Sequence, residues 1–175
     1  MSESLSSHER IALVALGSNL GDSICALNDA IELLERYSTR PIVQSSFWRS
    51  TPVDCPPGSP DFINAAIFLT PFPEETPESL LAHLQALEKH FGRRPKTVLN
   101  EPRPLDLDLI AFGSEVRDTP ALILPHPRAH LRRFVLGPLT EIAPRFKLPG
   151  QKKTICELLR DLPTSADNHA LRITP

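Results

Sequence analysis

LDLDLIAFG, residues 105–113, sets the reading of the whole chain. Leucine and aspartate alternate over its first five positions, the period of a strand rather than a helix. Leu105, Leu107 and Leu109 therefore share one face, which must meet a core, while Asp106 and Asp108 share the other, roughly 7 Å apart for a rise near 3.3 Å per residue. Working backward, residues 77–91 carry Leu80, Leu84, Leu87 and Phe91 at helical spacing, with Thr76 as N-cap, Pro77 at the first helical position and Gly92 past the end. FINAAIFLT (62–70) and PIVQSSFWR (41–49) read as strands. Ile24, Leu27, Ile31 and Leu34 mark an earlier helix capped by Asp22, and RIALVALG (10–17) is a short buried strand before it. With 105–113 as the closing strand, the order is β-α-β-β-α-β. That is the ferredoxin-like order, an α+β class with a mainly antiparallel sheet.

Beyond it, LPHPRAHLRRF (124–134) is a basic, Pro-bounded segment holding a short helix, and Thr154–Glu157 is a capping box opening a last helix. Little pattern follows Leu162. We expect a frayed, disordered leader over residues 1–9, one domain over 10–163 and a tail over 164–175.

The 175 residues suit one core. A net charge of −2 excludes the basic surface that nucleic acid or an anionic membrane demands. No apolar run approaches the ~20 residues of a membrane span, and the polar start MSESLSSHER is no secretory signal. Cys25, Cys55 and Cys156 are widely spaced and odd in number, as free thiols in a reducing compartment are, so a cytoplasmic location is the expectation; a monomer is expected as well. The 19 prolines cluster in the loops 52–60, 71–77, 95–104 and 120–127 and stiffen them.

A lone Asp-x-Asp on a strand reads first as a solvated acidic face. Its neighbours argue otherwise. Two carboxylates side by side repel unless a cation neutralises them. Magnesium commonly takes one or two carboxylates plus substrate phosphates, and a pair at this spacing suits two ions bridging a triphosphate. Arg103 precedes the pair, Arg93 and Arg94 follow the second helix, and Arg128, Arg132 and Arg133 follow His126, a set suited to a polyphosphate. GSNLGD (17–22) is a glycine turn but not a P-loop, since no GxxxxGK[ST] occurs. Asn64 either satisfies backbone groups or pairs with the edge of a planar heterocycle, and Phe62 and Phe134 either pack in the core or offer stacking faces. His126 and His130 lie at i, i+4 but lack a third metal ligand.

Four stretches fall in one order: ALGSNLGD, SSFWRSTPV with PDFINAAI, PRPLDLDLIAFG, and LPHPRAHLRRFVLGPLTEIAP. Together they resemble the hydroxymethyl-dihydropterin pyrophosphokinases, from about Ile11 to Pro149. The resemblance implies transfer of the terminal pyrophosphate of ATP to the hydroxymethyl group of 6-hydroxymethyl-7,8-dihydropterin, with AMP leaving, in folate biosynthesis. It implies a three-layer α/β/α sandwich, two Mg2+ ions, ATP as co-substrate and mobile loops. By position it makes Asp106 and Asp108 the metal carboxylates. Arg93, Arg103, His126 and Arg132 become phosphate or catalytic-loop residues, and Gln85, Glu88 and Leu109 fall near the nucleotide. Asn64 becomes the pterin-edge amide, Phe62 and Phe134 the stacking pair, and Ser50, Thr51 and Val53 second-loop contacts on the pterin. Departures concentrate in the loops. Asn100 and Glu101 stand where many relatives carry Trp-Gly, Pro95 where Arg is frequent, and Pro127 where an aromatic or polar residue is usual. Two other readings are a magnesium-dependent Asp-x-Asp transferase using a sugar nucleotide, and a non-catalytic pterin- and ATP-binding paralogue.

Overall fold

Residues 10–95, 97–165 and 168–173 are described by a computed structural model. The expected leader, residues 1–9, lies outside them. Strand β1 (Ala12–Ser18) is buried on both faces, as its unbroken apolar run requires. Helix α1 (Ser23–Leu34) starts where Asp22 accepts a hydrogen bond from the Cys25 amide at 3.0 Å. Helix α2 (Pro77–His90) opens on a Thr76–Ser79 capping box with Pro77 in its first turn, and Gly92, at φ +89°, ends it in the left-handed region. Strands β4 (Phe62–Leu69) and β5 (Asp106–Phe112) lie antiparallel on either side of β1.

The expected strand 41–49 is broken into β2 (Val43–Gln44) and β3 (Trp48–Ser50). Its cause is the serine pair between them. Ser45 Oγ accepts from the Ala66 amide at 2.9 Å, and the Ser46 amide turns away to Glu141 at 2.9 Å, so the ladder is interrupted. The sheet runs β5-β1-β4-β3-β8, with β8 at Ala170–Arg172 and β2 also on β4. Its first four members give the ferredoxin-like order.

Two cores lie on opposite faces. Ala12, Val14 and Leu16 of β1 meet α1 and α2 together with Leu105, Leu107 and Leu109. Leu13 and Ala15 meet α3 (Arg133–Ile142) and α4 (Ile155–Asp161). The result is three layers, helices–sheet–helices. α4 opens on the expected Thr154–Glu157 capping box.

Three elements carried no sequence signal. A hairpin of β6 (Arg117–Asp118) and β7 (Ile123–Leu124) is too short to show alternation. Helix α3 runs a full ten residues with Pro138 inside it, a residue that ordinarily argues against a helix interior. Past Leu162, Ala170–Arg172 forms β8 on the edge of β3, with Ser50 opposite Ala170, so the tail returns to the sheet. Among the described residues no helix is long and apolar enough to cross a membrane.

Candidate active site

The site is built on the sheet face that α3 covers, at one end of β1. Register places Asn64 of β4 and Asp106 of β5 on either side of Gly17, and Ala66 and Asp108 on either side of Ala15. Small residues in the middle strand thus leave a floor between the amide and the two acids. A Cβ at Gly17 would stand 3.5 Å from Asn64 Oδ1 and 3.6 Å from the Phe62 ring. Further along β5, Leu13 pairs with Ala111 but Val14 with Leu109, so Ile110 is an extra, bulged residue. The bulge resets the alternation: Leu105, Leu107 and Leu109 face α1 and α2, while Ile110 and Ala111 join the core under α3.

A cavity of about 240 Å³ opens above this floor. Ser50, Thr51, Val53, Phe62, Asn64, Arg103, Asp106, Asp108, Arg132 and Phe134 all line it, as do Asp54, Asn100, Arg128 and Asn168. A second cavity, of about 460 Å³, lies between Leu20 and the loop after α2, lined by Arg93, Arg94, Pro95 and Glu101 among others. Arg103 lines both.

Asn64 donates to Ser50 Oγ at 2.8 Å, which fixes its amide and leaves Oδ1 toward Gly17. The guanidinium of Arg103 lies over the Phe62 ring at 5.7 Å and that of Arg132 over Phe134 at 5.5 Å. Arg103 is carried by backbone hydrogen bonds to Asn19: the Arg103 amide donates to Asn19 Oδ1 at 2.9 Å, and the Asn19 amide donates to the Arg103 carbonyl at 3.2 Å. Asn19 Nδ2 also reaches the Pro60 carbonyl at 3.2 Å, so one residue of the GSNLGD turn ties the bases of both neighbouring loops. Asn100 and Asp54, the two non-glycine residues with positive φ among the described residues, join those loops at their tips, Asn100 Nδ2 donating to the Asp54 carbonyl at 2.7 Å.

The two acids differ. Arg93 hydrogen-bonds Asp106 Oδ1 at 2.8 Å, and Arg103 Nη1 lies 3.7 Å from Oδ2. The Asp108 carboxylate makes no hydrogen bond to a described residue; burial, and then the Asp106 charge, push its pKa up to about 6. Glu88, at the end of α2, accepts from the Leu107 amide at 2.7 Å and pairs closely with Arg93; burial raises its pKa to about 7. His126, whose amide donates to the Ile110 carbonyl at 2.8 Å, is half-buried. Burial, and then Arg132 and Arg128, lower its pKa to about 4, so the ring is neutral and accepts at Nδ1 from the Arg128 amide at 3.2 Å.

A divalent cation suits the acids. They are hard oxygen donors on one strand face, and burial beside the Asp106 charge makes Asp108 costly to ionise. Among the described residues no group of three or more His, Cys, Asp or Glu is placed to hold a metal. The buried Arg103 Nε, without a hydrogen-bond partner among the described residues, is a donor for an anion at the same place.

Four expected residues line neither cavity: Gln85, Glu88, Leu109 and His126. Gln85 is exposed on α2, and Leu109 is buried with its side chain in the core beneath α1 and α2, because it alternates with the acids. Arg93 and Glu88 reach the site through Asp106 and Leu107 rather than by lining the first cavity.

The sequence profile of 7,8-dihydro-6-hydroxymethylpterin-pyrophosphokinase (HPPK) matches residues 13–144, a span that contains both acids, the floor of β1 and the Arg132–Phe134 segment. The chain belongs to this family. It is 35% identical over 165 residues to the 2-amino-4-hydroxy-6-hydroxymethyldihydropteridine pyrophosphokinase of Haemophilus influenzae, covering 94% of this chain and 98% of that protein. The enzyme of the same name from Pseudomonas aeruginosa is 37% identical over 151 residues, 86% of this chain and 90% of that one. Among solved structures, an HPPK-DHPS in complex with substrates superposes with a TM-score of 0.66 at 13% identity, covering 87% of this chain. The wild-type Plasmodium falciparum HPPK-DHPS gives 0.66 at 15% identity over 86% of this chain. This chain spans 44% and 40% of those two longer proteins, and the likeness is one of fold. The family's ferredoxin-like domain is the three-layer arrangement described above.

Proposed function

We propose that the protein transfers pyrophosphate from ATP to the hydroxymethyl group of 6-hydroxymethyl-7,8-dihydropterin, releasing AMP, as a step of folate biosynthesis. One observation carries the reading: the paired acids, the Asn64 amide and the rings of Phe62 and Phe134 line one cavity, and Arg103 joins it to a second, basic one.

The pterin takes the first cavity. Asn64, held by Ser50, presents its amide to the heterocycle edge, and Phe62 and Phe134 offer stacking faces worth about 0.5–1.5 kcal/mol each. Thr51 and Val53 close that cavity from the second loop. The nucleotide takes the second, with its phosphates at the junction beside Arg93, Arg103 and Arg132. Asp106 and Asp108 would hold two magnesium ions, which would supply charge neutralisation of the triphosphate and polarisation of its β-phosphorus. Arg103, fixed by Asn19, orients the phosphates beside those acids, so the pterin hydroxyl faces the β-phosphorus in line. Loops 51–61 and 92–104, tied at base and tip, exclude water that would otherwise hydrolyse ATP. A monomer in the cytoplasm is the accompanying proposal.

The test is incubation with ATP, magnesium and 6-hydroxymethyl-7,8-dihydropterin, with products read by mass spectrometry. Stoichiometric AMP and pterin diphosphate are expected. ADP with a pterin monophosphate, or binding of both substrates without AMP, contradicts the reading.

A further inference from the structure

Arg132 carries a burden that its own contacts do not support. Its guanidinium makes no hydrogen bond to a described residue; it lies over the Phe134 ring, within electrostatic reach of Asp108 and Asp106. It stands as N-cap of α3 in extended backbone (φ −118°, ψ 112°) and offers no side-chain cap. Its place therefore depends on its backbone, which is held locally (its amide donates to the Ala129 carbonyl, and its carbonyl accepts from the Val135 and Leu136 amides) and on either side by a residue from the far end of the chain. Asn168 Oδ1 accepts from the Arg133 amide at 2.8 Å, and Asn168 Nδ2 donates to the Leu131 carbonyl at 3.3 Å. One amide thus serves the orphan N–H at the start of α3 and the carbonyl before Arg132, bracketing it.

Asn168 is itself anchored. Just beyond it, β8 pairs with β3, the strand that carries Ser50, and the Ile173 amide donates to the Phe47 carbonyl at 2.8 Å. Before it, Arg133 Nη2 donates to the Leu162 carbonyl at 3.1 Å. The C-terminal segment is a strap between the pterin side of the sheet and the loop that presents Arg132. Asn168 is also part of the cavity wall.

We infer that Asn168 is a positioning residue for Arg132 in pyrophosphoryl transfer, holding the guanidinium over the acid pair by clamping Leu131 and Arg133. This rests on the functional reading above. A double-mutant cycle tests it. Asn168→Ala is expected to lower kcat/KM for ATP about tenfold, and Arg132→Ala by more. In the Arg132→Ala background, Asn168→Ala is expected to cost less than twofold, because the group it positions is gone. An equal loss in both backgrounds, or no loss in either, overturns the assignment. Asn168→Asp keeps the acceptor for the Arg133 amide but not the donor to Leu131. It decides the matter if the alanine variant does not fold: rate loss at an unchanged Tm, abolished in the Arg132→Ala background, supports the clamp, and a wild-type rate overturns it. The same cycle read calorimetrically with magnesium tripolyphosphate needs no pterin chemistry. Were the wild-type enzyme inactive toward pterin, the functional reading would fail, while loss of tripolyphosphate affinity confined to the Arg132 background would still establish Asn168, and additive losses would still overturn it.

Discussion

At the scale of single residues the site is a set of unequal pairs. Asp106 is neutralised by Arg93, whereas Asp108 has no such partner and is held above the ordinary carboxylate range by burial. A raised acid contributes stability fully below its unfolded pKa near 3.8 and loses it as pH rises through about 6. Asp108→Asn should therefore raise the Tm of the ligand-free protein at pH 8, by roughly 2–8 °C for ~1–2 kcal/mol in a chain of this length. It should also reduce turnover by orders of magnitude. A lowered Tm, measured by calorimetry, would oppose this account of Asp108. His126 titrates with the opposite sign. Its folded pKa near 4 lies below the ordinary 6.5, so its contribution is present above pH 6.5 and is lost as pH falls through about 4. Urea titrations at pH 7 and pH 4.5 should show a stability drop that His126→Gln reduces; an identical drop in the variant would contradict it. Gly17 makes a third case. Valine there fits the backbone but fills the floor beside Asn64 and Phe62, so pterin affinity should fall at least tenfold with Tm changed little. The shared face of the two acids was legible from alternation, because a half-buried strand shows its two faces in sequence; the place of Asn64 was not, because its strand is an apolar run without alternation. Asn168 was not, because a polar residue in an unpatterned tail declares its role only when the fold brings it to α3.

At the scale of elements, α3 decides where Arg132 and Phe134 stand. It approaches the sheet closely because Gly137 has no side chain: a Cβ there would lie 2.7 Å from the Trp48 ring. Trp48 in turn is fixed, its indole donating to Glu141 Oε1 at 2.7 Å. Gly137→Ala should cost about 1–3 kcal/mol by overpacking and displace the Phe134 ring, so that urea midpoint and pterin affinity fall together. Unchanged values for both would mean that α3 can shift without disturbing the site. Helix caps were plain in sequence, since Asp22, Thr76 with Pro77, and Thr154 with Glu157 are local chemistry. The break between β2 and β3 was hidden by an apolar flank on each side of Ser45 and Ser46, and the bulge at Ile110 by an apolar run that suits either face. Those are tertiary choices, made by the partner strand.

At the scale of the molecule, two cores clamp one sheet, and the cavities open where β1 ends and the glycine turn begins. The sheet order was readable because the alternation of strand and helix admits few connections. The closing of its far edge by β8 was not, for three residues carry too little pattern. The architecture gathers four segments distant in sequence (the glycine turn, β4, β5 and the start of α3) around the acid pair. The central claim is that this pair holds divalent cations beneath a triphosphate. It is tested most directly by titrating Mn2+, followed by electron paramagnetic resonance, into the protein with a non-hydrolysable ATP analogue. The wild type should bind the ion in a nucleotide-dependent way, and Asp106→Ala and Asp108→Ala should each lose most of that binding while remaining folded. Undiminished nucleotide-dependent Mn2+ binding in both variants would contradict the account.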